Sequence, residues 1–166
     1  MMRKKRFFCF VLIGMLIFCF TNTAMAESEV KPLNLSLFTP VQIYDETTSI
    51  QGFRLNLIYG VNAVMKGLDI GLINEVRDSG SALQIGMANL AGGDFKGWQV
   101  SAINIVNGSF SGLQTGLFNT AKEMRGLQIG AVNMTDNLHG LQIGVLNFNW
   151  SGDPLTFFPI VNWSFK

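Results

Sequence analysis

Thiols are confined to the first twenty residues of this 166-residue chain, where Cys9 and Cys19 are the only cysteines. Everything after them is without a disulfide, a thiol nucleophile or a cysteine metal ligand. Histidine is as scarce. His139 stands alone in a turn-like link, with no cysteine and no nearby carboxylate cluster to complete a metal or catalytic set, so it reads as a solvated turn residue. Charged residues make up only 14% of the chain. No phosphate-binding loop is present, because Gly92-Gly93-Asp94 reads as a turn and not as a strand-to-helix junction. No Gly-x-Ser-x-Gly nucleophile elbow is present either. These absences lead to the expectation of no enzyme activity, no cofactor and no metal.

Helical periodicity is missing beyond the first 26 residues. Most of the 18 glycines recur there at regular intervals, and each would cost about 1 kcal/mol inside a helix. What precedes them is a processing signal. Arg3, Lys4, Lys5 and Arg6 form a basic start, Phe7 to Phe20 an apolar run, and Ala24-Met25-Ala26 a signal-peptidase site. The run is shorter than the ~20 residues of a spanning helix. Cys19 follows Phe18, whereas a lipid-attachment cysteine follows a small residue. The expected organisation is a signal peptide at 1–26, a leader and N-terminal β cap at 27–51, and a tandem β-repeat domain at 52–166. Export through the Sec pathway to the periplasm, outer membrane or cell surface follows from the signal.

Cleavage after Ala26 removes four of the 12 basic residues and none of the 11 acidic ones, leaving a net charge of −3. That balance argues against a nucleic-acid partner, which needs basic patches to neutralise phosphates.

The repeat is the dominant signal. Asn74, Asn89, Asn104, Asn119, Asn133, Asn147 and Asn162 follow one another at steps of 15, 15, 15, 14, 14 and 15 residues. Each closes a similar octapeptide, such as Gly126-Leu127-Gln128-Ile129-Gly130-Ala131-Val132-Asn133 and Gly140-Leu141-Gln142-Ile143-Gly144-Val145-Leu146-Asn147. An earlier copy runs from Gly52 to Tyr59, with Tyr59 in the asparagine slot. The last, Leu155 to Asn162, is degenerate and carries Pro159. Each copy alternates as a strand does, with Leu68, Ile70 and Leu72 on one face and Asp69 and Gly71 on the other. Short polar links between copies carry one more apolar residue each: Phe95, Phe110, Met124 or Leu138. Leu33 to Tyr44 also alternates, and Pro40 marks an edge or a bend there.

Two all-β architectures fit the period. A β-solenoid of about seven to eight 15-residue coils, with atypical terminal caps, stacks equivalent residues ~4.8 Å apart. Its leucine columns would fill the core and its asparagines would form a structural amide ladder. The alternative is a small antiparallel outer-membrane β-barrel with one strand per repeat, since ~9–11 membrane residues plus a turn also sum to the period. On the solenoid, Gln84, Gln99, Gln114, Gln128 and Gln142 would form a polar stripe, a candidate ligand-facing surface for a glycan or peptide strand or else a second amide ladder. Asp78, Asp94, Asp136 and Asp153 lie in links, but one acid per coil falls short of the calcium-binding β-roll pattern.

The Gly-Leu-Gln-Ile-Gly-x-x-Asn repeat, the opening segment Leu33-Asn34-Leu35-Ser36-Leu37-Phe38-x-Pro40-Val41-Gln42 and the closing Phe157-Phe158-Pro159-Ile160-Val161-Asn162 resemble a group of exported bacterial surface repeat-containing proteins. The resemblance covers Leu33 to Phe165. It implies the cell envelope and carries no activity and no functional residues. The expected function is therefore a cell-envelope repeat protein with a structural or interaction role toward an unknown envelope or surface partner. An integral outer-membrane barrel acting as anchor or narrow pore is the alternative.

Overall fold

The computed structural model describes residues 29–165. The signal peptide at 1–26, with both cysteines, lies outside the described residues.

Seven strands make up 82% of the described residues, with no helix among them. They are β1 (Val30–Phe38), β2 (Val41–Gln42), β3 (Ser49–Ile85), β4 (Ala88–Ala91), β5 (Phe95–Val100), β6 (Ile103–Asn149) and β7 (Phe157–Ser164). The chain winds as a β-solenoid of about six turns. β3 and β6 are long because backbone pairing continues around the corners of successive coils. The pairing is parallel and one period out of step. Gln84 lies beside Gln99 and Gln99 beside Gln114, while Asn74 lies beside Asn89 and Asn89 beside Asn104. Every residue type therefore forms a column along the axis. An antiparallel barrel has no such register.

Each regular coil has two walls, a tight corner and a polar link. The second coil shows the plan. Gly67 to Ile70 form the first wall, Gly71 and Leu72 the corner, Ile73 to Val76 the second wall, and Arg77 to Ser79 the link. Gly71 belongs to a corner column that includes Gly86, Gly116, Gly130 and Gly144. A Cβ at Gly130 would lie 2.5 Å from the Gly116 carbonyl oxygen of the coil below, so only glycine lets consecutive coils approach at ladder spacing.

The core differs from the expected one. The leucine columns do not fill it. Leu72 is exposed and Leu68 and Ile70 are only half-buried, with their side chains on the outer wall. The interior holds four other columns. Two are apolar: Ile50, Met65, Phe95, Phe110, Met124 and Leu138 in one, and Val76, Ala91, Val106 and Ala121 in the other. The Phe95 and Phe110 rings stack at 6.0 Å with planes 2° apart. Gly80 leaves the space that Phe95 fills, for a Cβ there would sit 2.2 Å from the ring. The other two interior columns are the glutamines and the asparagines, all fully buried.

The alternation explains the inversion. Along one wall, odd and even residues face opposite sides. At the corner, Leu72 and Ile73 both face outward, which shifts the phase by one. Asp69 and Asn74 therefore face inward together, although they differ in parity, and the leucines between them face out.

Both ends are built differently from the regular coils. At the start, β1 stacks parallel on β3, and β2 folds back antiparallel on β1. At the finish, β7 returns antiparallel along β6, placing Asn162 opposite Gln142 and Phe158 opposite Asn147. This covers the last coil edge and ends the ladder, as an exposed parallel edge requires.

Candidate functional site

The amide columns were the residues singled out by the sequence, and the structure puts both inside. Gln84, Gln99, Gln114, Gln128 and Gln142 are 0% exposed. They are not a ligand-facing stripe, because the first wall turns them toward the core. Each donates from Nε2 to the Oε1 of the preceding coil: Gln99 to Gln84 at 2.7 Å, Gln114 to Gln99 at 2.9 Å, and Gln128 to Gln114 and Gln142 to Gln128 at 2.8 Å. Gln84 closes the series by donating to Asp69 Oδ2 at 2.8 Å.

The asparagine ladder runs the other way. Asn74 donates to Asn89 at 2.9 Å, Asn89 to Asn104 at 3.1 Å, and Asn104 to Asn119, Asn119 to Asn133 and Asn133 to Asn147 at 2.8 Å. Asn147 ends it on the backbone oxygens of Gly144 and Phe158. Asn162 is not a rung. It sits in the antiparallel cap, and its Nδ2 reaches Leu155 O at 3.3 Å and Gln142 Oε1 at 3.5 Å. Its spacing of one period reflects the length of the returning segment. Tyr59 does not hold the first rung either. Asn56 donates to Asn74 Oδ1 at 2.7 Å in its place.

Side-chain amides aligned in a column add their dipoles, as backbone units do in a helix. Two columns of opposite direction in one core largely cancel. The amino-terminal end of the glutamine column presents N–H groups, and Asp69 places its carboxylate there. Arg54 neutralises that charge with Nε to Oδ1 at 2.8 Å and Nη2 to Oδ2 at 2.6 Å, both side chains being fully buried. Such a satisfied interior leaves no buried group poised for chemistry.

Perturbed titrations gather near the amino-terminal end, away from any enclosed cavity. Burial, and then a hydrogen bond to Glu75, push the Tyr59 phenol up to about 12. The hydroxyl and amide of Thr47, and then the hydroxyl of Thr48, hold the Asp45 carboxyl below its ordinary value. A hydrogen bond to Glu29 raises the Lys31 ammonium. Among the described residues no three His, Cys, Asp or Glu side chains come together as metal ligands. Asp78, Asp94 and Asp136 are exposed in successive or near-successive links, and His139 is exposed at the start of a wall.

The surface feature that the structure brings together is the outer wall. In the six regular coils, four columns face outward around the corner. The first is Leu68, Leu83, Trp98, Leu113, Leu127 and Leu141. The second is Ile70, Ile85, Val100, Thr115, Ile129 and Ile143. The third, on the corner itself, is Leu72, Met87, Ala102, Leu117, Ala131 and Val145. The fourth is Ile73, Ala88, Ile103, Phe118, Val132 and Leu146. Of these 24 positions only Thr115 is polar and none is charged. At the corner, Met87, Leu117 and Val145 are 62%, 66% and 68% exposed. An open groove of about 670 Å³ runs over the corner between Thr115 and Val145.

The opposite edge is the reverse. Lys66, Arg77, Asp78, Asp94, Lys96, Lys122, Glu123, Arg125 and Asp136 all lie in or beside the links. The period of the sequence already contained this division, since the leucines were visible in it. The signal that places them outside is the pair of consecutive apolar residues at the corner, Leu72-Ile73 and its copies.

Comparison of the chain with protein-family models, with curated proteins and with solved structures gives no match.

Proposed function

We propose that the protein is an exported cell-envelope module with an interaction role, and that its apolar outer wall is the interacting surface. The observation that carries this reading is the 23 apolar residues among 24 outward positions on the corner and its flanks. Soluble monomers rarely expose a contiguous apolar patch beyond a few hundred Å², and larger ones mark interaction or membrane surfaces. A solenoid free in water gains nothing from such a wall, and polar residues would serve the fold equally well there. The interior supports a structural role as well. Two complete amide ladders make the coil stack rigid without a disulfide, as a protein outside the cytoplasm requires when it has no cysteine left. The basic start, apolar run and Ala24-Met25-Ala26 site support export.

The test is fractionation of cells making the untagged chain, with intact-mass measurement of the protein recovered. The expected species begins at Glu27 and is found with the envelope. Recovery of the uncleaved 166-residue chain from the cytoplasm would overturn the reading.

A further inference from the structure

We propose that the partner of the apolar wall is lipid hydrocarbon: the solenoid lies with its axis along a membrane surface and its corner edge sunk into one leaflet. This rests on the reading of the wall as an interaction surface and names what that surface meets.

Shape and charge together select this partner. The apolar columns occupy both sides of a convex corner. A folded protein with a flat face could cover one flank and would leave the other wet, whereas a fluid covers both. The most exposed residues, Met87, Leu117 and Val145, lie on the crest itself. From Leu113 to Phe118 the apolar band covers five residue steps, or ~16 Å of extended chain folded over the corner. Neither flank therefore reaches more than ~12 Å from the crest. Interfacial elements immerse their apolar faces by ~5–10 Å, so the band matches in depth. Along the axis, six coils at ~4.8 Å spacing give an edge of roughly 24 Å.

The charged edge fixes the orientation. Lys66 and Lys96 begin it near one end and Arg125 and Asp136 continue it toward the other, so it runs the length of the rod. A lone rod crossing the bilayer would carry that whole edge through hydrocarbon, where each charge is costly. A rod lying flat keeps all of it in water on the side away from the lipid. The edge carries both signs, so attachment comes from apolar immersion and depends weakly on salt.

Trp98 gives a direct readout, because it projects from the apolar wall and is 46% exposed. The amino-terminal apolar run contains no tryptophan, so it cannot contribute to the signal. In the full chain carrying Trp150→Phe and Trp163→Phe, Trp98 fluorescence is measured on phosphatidylethanolamine–phosphatidylglycerol vesicles with brominated acyl chains. A companion chain carries those two changes, Trp98→Phe and Ser111→Trp, which moves the single indole to the charged edge.

The expected result is at least a twofold loss of Trp98 emission relative to unbrominated vesicles, stronger with bromine near the headgroup end of the chain. The companion emission stays within about 10% of its unbrominated value. Leu117→Gln with Val145→Gln reduces the Trp98 quenching. Flotation with the vesicles but no Trp98 quenching would mean that the amino-terminal run alone attaches, and would overturn the inference. No quenching, protection of Trp98 from acrylamide and a concentration-dependent oligomer would also overturn it, with another copy as the partner and the wall still an interaction surface. No quenching with Trp98 open to acrylamide in a monomer would overturn both the inference and the proposed function.

Discussion

Arg54 and Asp69, one coil apart, form an ion pair closed off from solvent at the amino-terminal end of the glutamine column. They stand where two more glutamine rungs would otherwise be. Arg54 also donates from Nη1 to Asn62 Oδ1 at 3.1 Å and to Glu75 O at 2.9 Å, so the guanidinium is tied to the first coil and its neighbour. The pair converts a column of one-directional donors into a closed end.

Removing one partner strands the other. Arg54→Met leaves a buried carboxylate with only amide donors, and should cost about 3–5 kcal/mol in urea unfolding. The pair Arg54→Gln with Asp69→Gln should recover most of that loss, because two further rungs continue the ladder. A double variant no more stable than Arg54→Met would refute this account of the column end.

Asn104 accepts from Asn89 Nδ2 and Ser101 Oγ and donates to Asn119 Oδ1 and Thr115 O. Asn104→Ala breaks the ladder in its middle. Each buried group left unpaired costs about 1–3 kcal/mol, and Asn119→Ala should do the same one coil on. Unchanged thermal midpoints for both would rule out a contribution of the ladder to stability.

Phe110 is fully buried and stacked on Phe95. Phe110→Ala should cost about 3–5 kcal/mol. Leu117→Ser, on the crest, should change stability in water by less than about 0.5 kcal/mol. Equal losses for the two variants in denaturant titrations would contradict the assignment of core and wall.

Tyr59 should ionise near 12, against an ordinary 10.0. The folded state then holds its proton more tightly than the unfolded chain does. The resulting stability is complete below pH 10 and is lost as pH rises through about 12. Ultraviolet tyrosinate titration should show one late step, and Glu75→Gln should move it downward by removing the acceptor and its charge. A late step unaffected by Glu75→Gln would leave burial as the sole cause.

Ile160 has φ of 73° and a side chain 72% exposed. A β-branched residue is strained there and buries little in exchange. Ile160→Gly should stabilise the protein in water by about 1 kcal/mol, measured by the urea midpoint. A loss of similar size would mean that the antiparallel cap depends on this side chain.

Much of the architecture was legible before any coordinates. The constant step between Asn74 and Asn133 announced identical environments, and only stacked coils or repeated strands supply those. Fully buried Asn89 and Asn104 agree with an amide ladder, because stacking at ~4.8 Å brings identical amides into hydrogen-bond reach. Phe95 and Phe110 were visible as an extra apolar position in each link, and both lie in the core. The site was less legible. Gln99 and Trp98 are neighbours in sequence, and nothing local says which faces in. Asn162 kept the period by coincidence, since its segment returns antiparallel.

The sequence by itself determined the period, the strand-forming segments, the columns of like residues and the segregation of charge into the links. These follow from local alternation, glycine spacing and identity between repeats, all readable along one dimension. Only the tertiary structure decided which side of each column faces the core. Leu72 and Ile73 bend outward together at a glycine corner, that bend shifts the alternation by one residue, and the amides turn inward while the leucines turn out. A phase shift of one residue leaves no mark on composition or spacing, yet it sets which surface the protein presents.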